Sequence, residues 1–171
     1  SGDSSSNTFS NCYLYGPNSA GIRMISNSNG NAVYFSTMTG KFAGLDIQQS
    51  SANIVAGSYM QGSTAAFISG STGTIIGGSV LIATGTAGNA LWLYSGSLNL
   101  TVTSSTLKGD PMGAGIFLNL NNSGLITMTS NTIIGGRWGV SIATMTCGAC
   151  GGNISITSMT FSGGLTAGAT A

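Results

Sequence analysis

Few residues of this 171-residue chain have the side chains that most enzymes use for catalysis. There is no histidine, and the only acidic residues are Asp3, Asp46 and Asp110. Hydrolysis of a glycosidic bond needs two carboxyl groups about 5 to 9.5 Å apart, and a nucleophilic serine needs an activating base beside it. The residue types therefore predict no catalytic residues unless the fold brings two aspartates together.

The cysteines offer a second kind of chemistry. Cys147 and Cys150 have the spacing of a redox motif or of half a zinc site. No second such pair and no histidine completes a tetrahedral zinc site within the chain, and Cys12 lies too many structural repeats away to reach a bridging distance. We interpret the pair as a disulfide that closes a loop, with free thiols or a zinc site shared between subunits as alternatives. We predict no metal site within one chain and no cofactor.

The elements that would position these residues follow from a repeat in the sequence. An apolar residue followed two positions later by glycine or alanine recurs at spacings of 21 to 28 residues, at Leu14, Met38, Met60, Leu81, Leu107, Ile133 and Phe161. A second apolar column precedes it by five positions, at Phe9, Val33, Val55, Ile76, Val102, Met128 and Ile156. A third follows, at Ile22, Leu45, Phe67, Leu91, Ile116 and Val140. Three positions before the first column the residue is small in every repeat except at Phe35.

A unit of this length with three short strands cannot bury its inward face alone, whereas stacked copies share one core. Connections between parallel strands are overwhelmingly right-handed. We therefore predict an all-β fold, a single-stranded right-handed parallel β-helix (β-solenoid) of about seven rungs of 21 to 28 residues.

The sequence resembles the right-handed parallel β-helix family, which includes pectate lyases and bacteriophage tailspikes. The resemblance is carried by the phrases NTFSNCYLYG at residues 7–16, SNTIIG at 130–135 and AGI at 114–116. It implies the fold, while such folds host many activities. We place the β-helix domain at residues 7–166, after a lead-in at 1–6 and before a tail at 167–171. Both flanking segments are too short to cap a solenoid, so we expect another subunit or further chain to cover its ends.

The predicted fold keeps the carboxyl groups apart. Asp3 precedes the first rung, while Asp46 and Asp110 are separated by three rungs, about 14 Å along the axis. Since no hydrolytic pair forms within one chain, we expect that the protein is not an enzyme. The alternative is a polysaccharide-degrading enzyme with a site between subunits, because members of the family can assemble sites in that way.

One outward face is unusually apolar. Leu91 and Leu93 point inward, so Trp92 and Tyr94 point outward. The matching outward positions on neighbouring rungs predict a contiguous patch, formed by Ile68, Trp92, Tyr94 and Phe117. We expect a subunit interface there, with glycan stacking or cover by a loop of the same chain as alternatives. In the same column, Arg23 and Asp46 should form an exposed ion pair.

Threonines form a second outward pattern, because Thr101, Thr127 and Ser155 should stack, as should Thr103, Thr129 and Thr157. Flat threonine arrays of this kind occur on ice-binding solenoids. Further upstream the same columns hold other residue types, which spoils a regular array. We favour the ordinary interpretation that threonine is common on strands.

Charged residues make up only 4% of the chain, and the net charge is +1. A basic patch cannot form, so we expect no nucleic acid partner, and the short apolar runs predict no membrane insertion.

So few charges also remove the repulsion that keeps proteins monomeric. We expect a structural subunit on an extracellular or virion surface, a phage tail, spike or head-surface protein by preference. Its partners would be copies of itself, as a lateral trimer or end to end, together with surface glycans. The alternatives are a bacterial or archaeal extracellular filament or adhesin subunit and a carbohydrate-binding module.

Overall fold

The computed structural model describes residues 4–94, 96–118, 125–134, 136–142, 154–162 and 168–169. These residues form three parallel sheets of seven strands each. The first sheet contains β1 (Thr8–Ser10), β4 (Ala32–Tyr34), β7 (Ile54–Ala56), β10 (Ile75–Gly77), β13 (Thr101–Thr103), β16 (Ile126–Thr129) and β19 (Ile154–Thr157). The second contains β2 (Tyr13–Gly16), β5 (Thr37–Gly40), β8 (Tyr59–Gly62), β11 (Val80–Ala83), β14 (Thr106–Lys108), β17 (Thr132–Ile134) and β20 (Thr160–Ser162). The third contains β3 (Ala20–Ile25), β6 (Ala43–Gln48), β9 (Thr64–Ser69), β12 (Leu91–Tyr94), β15 (Ala114–Leu118), β18 (Trp138–Ile142) and β21 (Gly168–Ala169).

One strand from each sheet makes a rung, so rung one is β1 to β3 and rung seven is β19 to β21. Every strand pairs in parallel with the strands of the neighbouring rungs. The predicted all-β parallel solenoid is confirmed. The described part of the chain contains no helix with the length and apolarity needed to cross a membrane.

The core is a column of inward side chains, because alternate residues of a strand point to opposite faces. Val55, Ile76 and Val102 lie in register in the first sheet, and Met60, Leu81 and Leu107 do so in the second. All six are fully buried. Burying a side chain of this size contributes about 1.5 to 3 kcal/mol, so the first two predicted apolar columns are the core that holds the rungs together.

The third predicted column is wrong at one rung. Ala66, and not Phe67, lies between Leu45 and Leu91 in the third sheet. The bend from the second to the third sheet is one residue shorter in rung three than in rung two, because Ala43 pairs with Thr64. A shift of one residue exchanges the two faces of a strand.

The corner between the first and second sheets repeats one backbone conformation. A residue with a left-handed φ between 48° and 59° follows each first-sheet strand, at Asn11, Phe35, Gly57, Gly78, Ser104, Ser130 and Ser158. We call these residues the left-handed column. Glycine, asparagine and serine suit it, because a left-handed φ costs them less than it costs bulky residues.

Inside the same corner a ladder of hydroxyl groups satisfies buried backbone donors. The Ser36 N–H donates to Ser58 Oγ at 3.1 Å, and the Ser58 N–H donates to Ser79 Oγ at 3.2 Å. The ladder continues with Ser79 N–H to Ser105 Oγ at 3.2 Å and Ser105 N–H to Asn131 Oδ1 at 2.9 Å. A buried donor left without a partner is costly, so small polar residues at this position hold the corner in place.

Candidate interaction surfaces

Two aspartates of the described residues are engaged in structural contacts. Asp46 Oδ2 accepts a bond from Arg23 Nε at 2.8 Å, and Asp46 Oδ1 accepts one from Gln48 Nε2 at 2.9 Å. The predicted pairing of Arg23 with Asp46 is confirmed. Its predicted exposure is wrong for the acid, because the Asp46 side chain is only 2% exposed while that of Arg23 is 47% exposed. The guanidinium and the amide each engage one carboxylate oxygen, which compensates the burial of the charge.

Asp110 lies in the corner that precedes β15. Its Oδ1 accepts N–H bonds from Ala87 at 3.2 Å and from Met112 at 3.1 Å, which ties two neighbouring corners together. Within the described ranges, no group of three or more His, Cys, Asp or Glu side chains could hold a metal ion. Cys147 and Cys150 lie outside those ranges. Cys12 is a free cysteine in rung one.

The outward face of the third sheet carries a line of rings. Phe67 pairs in register with Trp92, and Trp92 with Phe117. Their ring centroids are 5.3 Å and 6.0 Å apart, in edge-to-face geometry, and Tyr94 lies 6.2 Å from the Trp92 ring. Phe42, from the preceding corner, meets Phe67 at 5.7 Å. We call these five residues the aromatic ridge.

The predicted patch is correct in three of its four members. Trp92, Tyr94 and Phe117 face outward, whereas Ile68 points inward and is 1% exposed. Phe67 holds the outward place, because the shorter bend in rung three shifts the strand by one residue. The sequence Ala66-Phe67-Ile68 is apolar at every position, so alternation could not distinguish the two faces.

The rings of the ridge mostly contact one another. Phe67, Trp92, Tyr94 and Phe117 are half-buried, and each edge-to-face pair contributes about 0.5 to 1.5 kcal/mol beyond the area it buries. Trp92 Nε1 is buried with no hydrogen-bond acceptor among the described residues. Much of the apolar surface of these rings is therefore already buried within the chain, and the rest faces solvent.

A second apolar surface was not predicted from the sequence. On the first two sheets of rungs one to four, several large apolar side chains are exposed, namely Tyr13, Tyr15, Phe35, Ile75 and Val80. We call these five residues the corner patch. One signal was available in the sequence: Phe35 is the only large residue in the left-handed column. The exposure of these side chains depends on the glycines beside them, and the alternation of apolar and polar residues in the sequence does not reveal it.

In rungs five to seven, threonine or serine holds the columns of Tyr13, Phe35, Ile75 and Val80, whereas the column of Tyr15 holds Lys108, Ile134 and Ser162. Thr101 pairs with Thr127, and Thr103 with Thr129. The hydroxyl oxygens of Thr129 and Thr157 are 3.1 Å apart. Thr106, Thr132 and Thr160 stack in the second sheet. The predicted threonine columns are confirmed, and a third column joins them.

Comparison with known proteins agrees with this architecture. A family described as the right-handed β-helix region matches residues 1–165 of the sequence. No curated protein matches the chain in sequence.

Proposed function

The chain belongs to the right-handed β-helix family, and from that premise we propose that it is a non-catalytic structural subunit that assembles with copies of itself. We place the assembly on an extracellular or virion surface. A phage tail, spike or head-surface protein is the preferred setting, because the sequence resembles tailspikes. A bacterial or archaeal filament or adhesin subunit is the alternative setting.

The observation that carries this proposal is a coat with almost no charge and with exposed apolar side chains. Charged residues are 4% of the chain, about a sixth of the fraction usual in a soluble domain. Phe35 and Tyr13, which belong to the corner patch, are each more than two-thirds exposed. Like charges that would keep copies apart are nearly absent, whereas apolar area that gains from contact is present.

The placement of the aspartates supports a non-catalytic role. Both oxygens of Asp46 accept hydrogen bonds from side chains, and Asp110 Oδ1 accepts two backbone bonds. The two residues lie in rungs two and five, too far apart to act on one glycosidic bond. For these two carboxyl groups to act together, a second subunit would have to bring another copy of one of them close to the other.

The test is the mass of the purified protein in solution, measured by sedimentation velocity over a wide range of concentrations. We expect species with the mass of two or more chains, either as lateral oligomers or as longer end-to-end particles. A single chain at every concentration contradicts the proposal. Electron micrographs of native material then separate filaments from virions.

Carbohydrate binding is a second candidate, favoured by the outer edges of the aromatic ridge. Trp92 and Tyr94 are half-buried on the outward face, and Ser69 pairs with Tyr94 in register, so a further hydroxyl group lies beside the rings. Sugars bind to such combinations of rings and polar groups. A glycan array read with the wild type and with Trp92→Ala tests it, and binding unchanged by the substitution contradicts it.

A further inference from the structure

Phe35 occupies a backbone position that does not suit it. Its φ is 48°, a left-handed value at which a bulky residue is a genuine outlier. The equivalent residues in the other rungs are asparagine, glycine or serine. Phe35 is also 68% exposed, so burial within the chain compensates little of this strain. A strained and exposed ring points to a contact outside the chain.

A hollow lies two rungs from Phe35 in the same column. If Gly78 carried a methyl group, the nearest atom to that group would be the Gly57 backbone nitrogen, 4.0 Å away, so the space above this glycine is open. Gly77 beside it also lacks a side chain. The exposed side chains of Ile75 and Val80 stand on either side. The hollow therefore has a glycine floor and apolar side chains on two sides, with the Thr103 hydroxyl on a third, 3.4 Å from where a methyl group on Gly77 would lie.

The Phe35 ring does not fill this hollow in its own chain. It lies over Gly57, where a methyl group would come within 2.7 Å of the ring atoms Cδ1 and Cε1. Gly57 is in rung three, midway between Phe35 in rung two and Gly78 in rung four. Because the ring reaches the level of Gly57, the knob and the hollow are about one rung, about 4.8 Å, apart along the axis.

We propose that Phe35 of one copy enters the Gly77–Gly78 hollow of a second copy, with the two rods antiparallel. A two-fold axis midway between the levels of Gly57 and Gly78 exchanges knob and hollow, so the contact forms twice and closes on itself. This inference rests on the proposed self-assembly and names its surface. In a trimer of parallel rods, Phe35 of each copy would lie at the same height as Phe35 of its neighbours and could not reach the hollow. The proposed contact therefore predicts a dimer.

A second copy suits this surface because the surface does not repel itself. Rungs two to five face their own image about this axis, and the strands of the first two sheets in these rungs contain one charged residue, Lys108, which meets Thr39 of the other copy. An isologous contact places a patch against its own image, where several charges of one sign would repel one another. A glycan would instead require several polar groups around the hollow, whereas Thr103 supplies one hydroxyl and the side chains of Ile75 and Val80 supply none.

The size of the face sets the expected strength. Four rungs of about 4.8 Å, with about nine residues of about 3.3 Å around the corner, give about 570 Å² per copy. About 1,100 Å² in total is just below the range of stable protein interfaces, among the weaker ones. We therefore expect a pair that dissociates on dilution.

The experiment compares the wild type with Phe35→Asn, Gly78→Asn and a control, Ser130→Asn, by sedimentation velocity. Asparagine fits the left-handed column, as Asn11 at φ 54° demonstrates, so all three variants should fold. Phe35→Asn removes the knob and Gly78→Asn fills the hollow. We expect each to weaken pairing by about tenfold or more. Ser130→Asn alters the same column two rungs beyond the hollow and should leave pairing unchanged.

Circular dichroism of each variant separates loss of pairing from loss of folding. Three results would overturn the inference: assembly unchanged by both Phe35→Asn and Gly78→Asn, a wild-type mass of three chains, or equal weakening by Ser130→Asn. Each of these leaves self-assembly itself standing. A wild type that is monomeric at all concentrations, or that uses Phe35 to bind an added glycan as a monomer, overturns the inference as well, and the first of these also contradicts the proposed function.

Discussion

Rungs one to four and rungs five to seven present different side chains from the same columns of the first two sheets. Ile75 gives way to Thr101 and Thr127 in the first sheet, and Val80 gives way to Thr106 and Thr132 in the second. The inward neighbours do not change in character. Leu81 and Leu107 are both fully buried. One backbone and one kind of core therefore carry two unlike surfaces.

This difference shows which residues the fold requires and which outward residues can vary without changing it. If the solenoid required apolar outward residues, rungs five and six could not form with threonine at those positions. Their strands pair in the same register as the earlier ones. The exposed apolar residues of the corner patch therefore contribute little to folding, which agrees with the proposed contact between copies.

The largest expected effects on stability come from the buried core, which is of the same kind in rungs one to four and in rungs five to seven. Leu81→Ala and Leu107→Ala each remove a fully buried side chain, and we expect each to lower the free energy of unfolding by about 2 to 5 kcal/mol. The outward neighbours provide matched controls. Val80→Ala and Thr106→Ala should change it by about 0.5 kcal/mol or less. Guanidinium unfolding measures all four, and a large loss for Val80→Ala would show that the corner patch belongs to the core.

A smaller effect, again equal in the two halves, is expected for the hydroxyl ladder. Ser79→Ala removes the acceptor of the Ser58 N–H, and Ser105→Ala that of the Ser79 N–H. A buried donor without a partner costs about 1 to 3 kcal/mol. Hydrogen exchange should become faster at those two amides. Unchanged protection would mean that the ladder does not hold the corner.

The smallest expected changes in the free energy of unfolding are an increase for a substitution in rung two and a decrease for the reverse kind of substitution in rung six. Phe35→Asn relieves a strained left-handed residue, so we expect a gain of about 1 kcal/mol in the unfolding free energy of the separated chain. Ser130→Phe introduces the same strain in rung six and should lower it by a similar amount. Thermal melting at high dilution compares them. If Phe35→Asn instead destabilises the chain as strongly as Leu81→Ala, the ring has a structural role within one copy.

Much of the fold could be predicted because each repeat has an apolar residue at corresponding positions. The column through Leu14, Leu81 and Ile133 needs only its spacing to be recognised, and the outward direction of Trp92 follows from Leu91 and Leu93. The prediction for Ile68 is wrong because a shorter bend changes the register of a strand that is apolar on both sides.

The corner patch could not be found by the same means. Exposure of Phe35 depends on what stands beside it in the next rungs, and there the chain has Gly57 and Gly78. The hollow is an absence of side chains, which a search for periodic apolar residues passes over. The strain at Phe35 is a backbone angle and becomes visible only when the corner geometry is known.

The most direct test exchanges the surface of the first half for that of the second. A variant with Tyr13→Thr, Phe35→Ser, Ile75→Thr and Val80→Thr uses the residue types that the same columns hold in rungs five and six. Sedimentation velocity would compare its mass with that of the wild type. We predict a folded single chain for the variant and a concentration-dependent assembly for the wild type. An assembly of the same mass and stability in both would contradict the account.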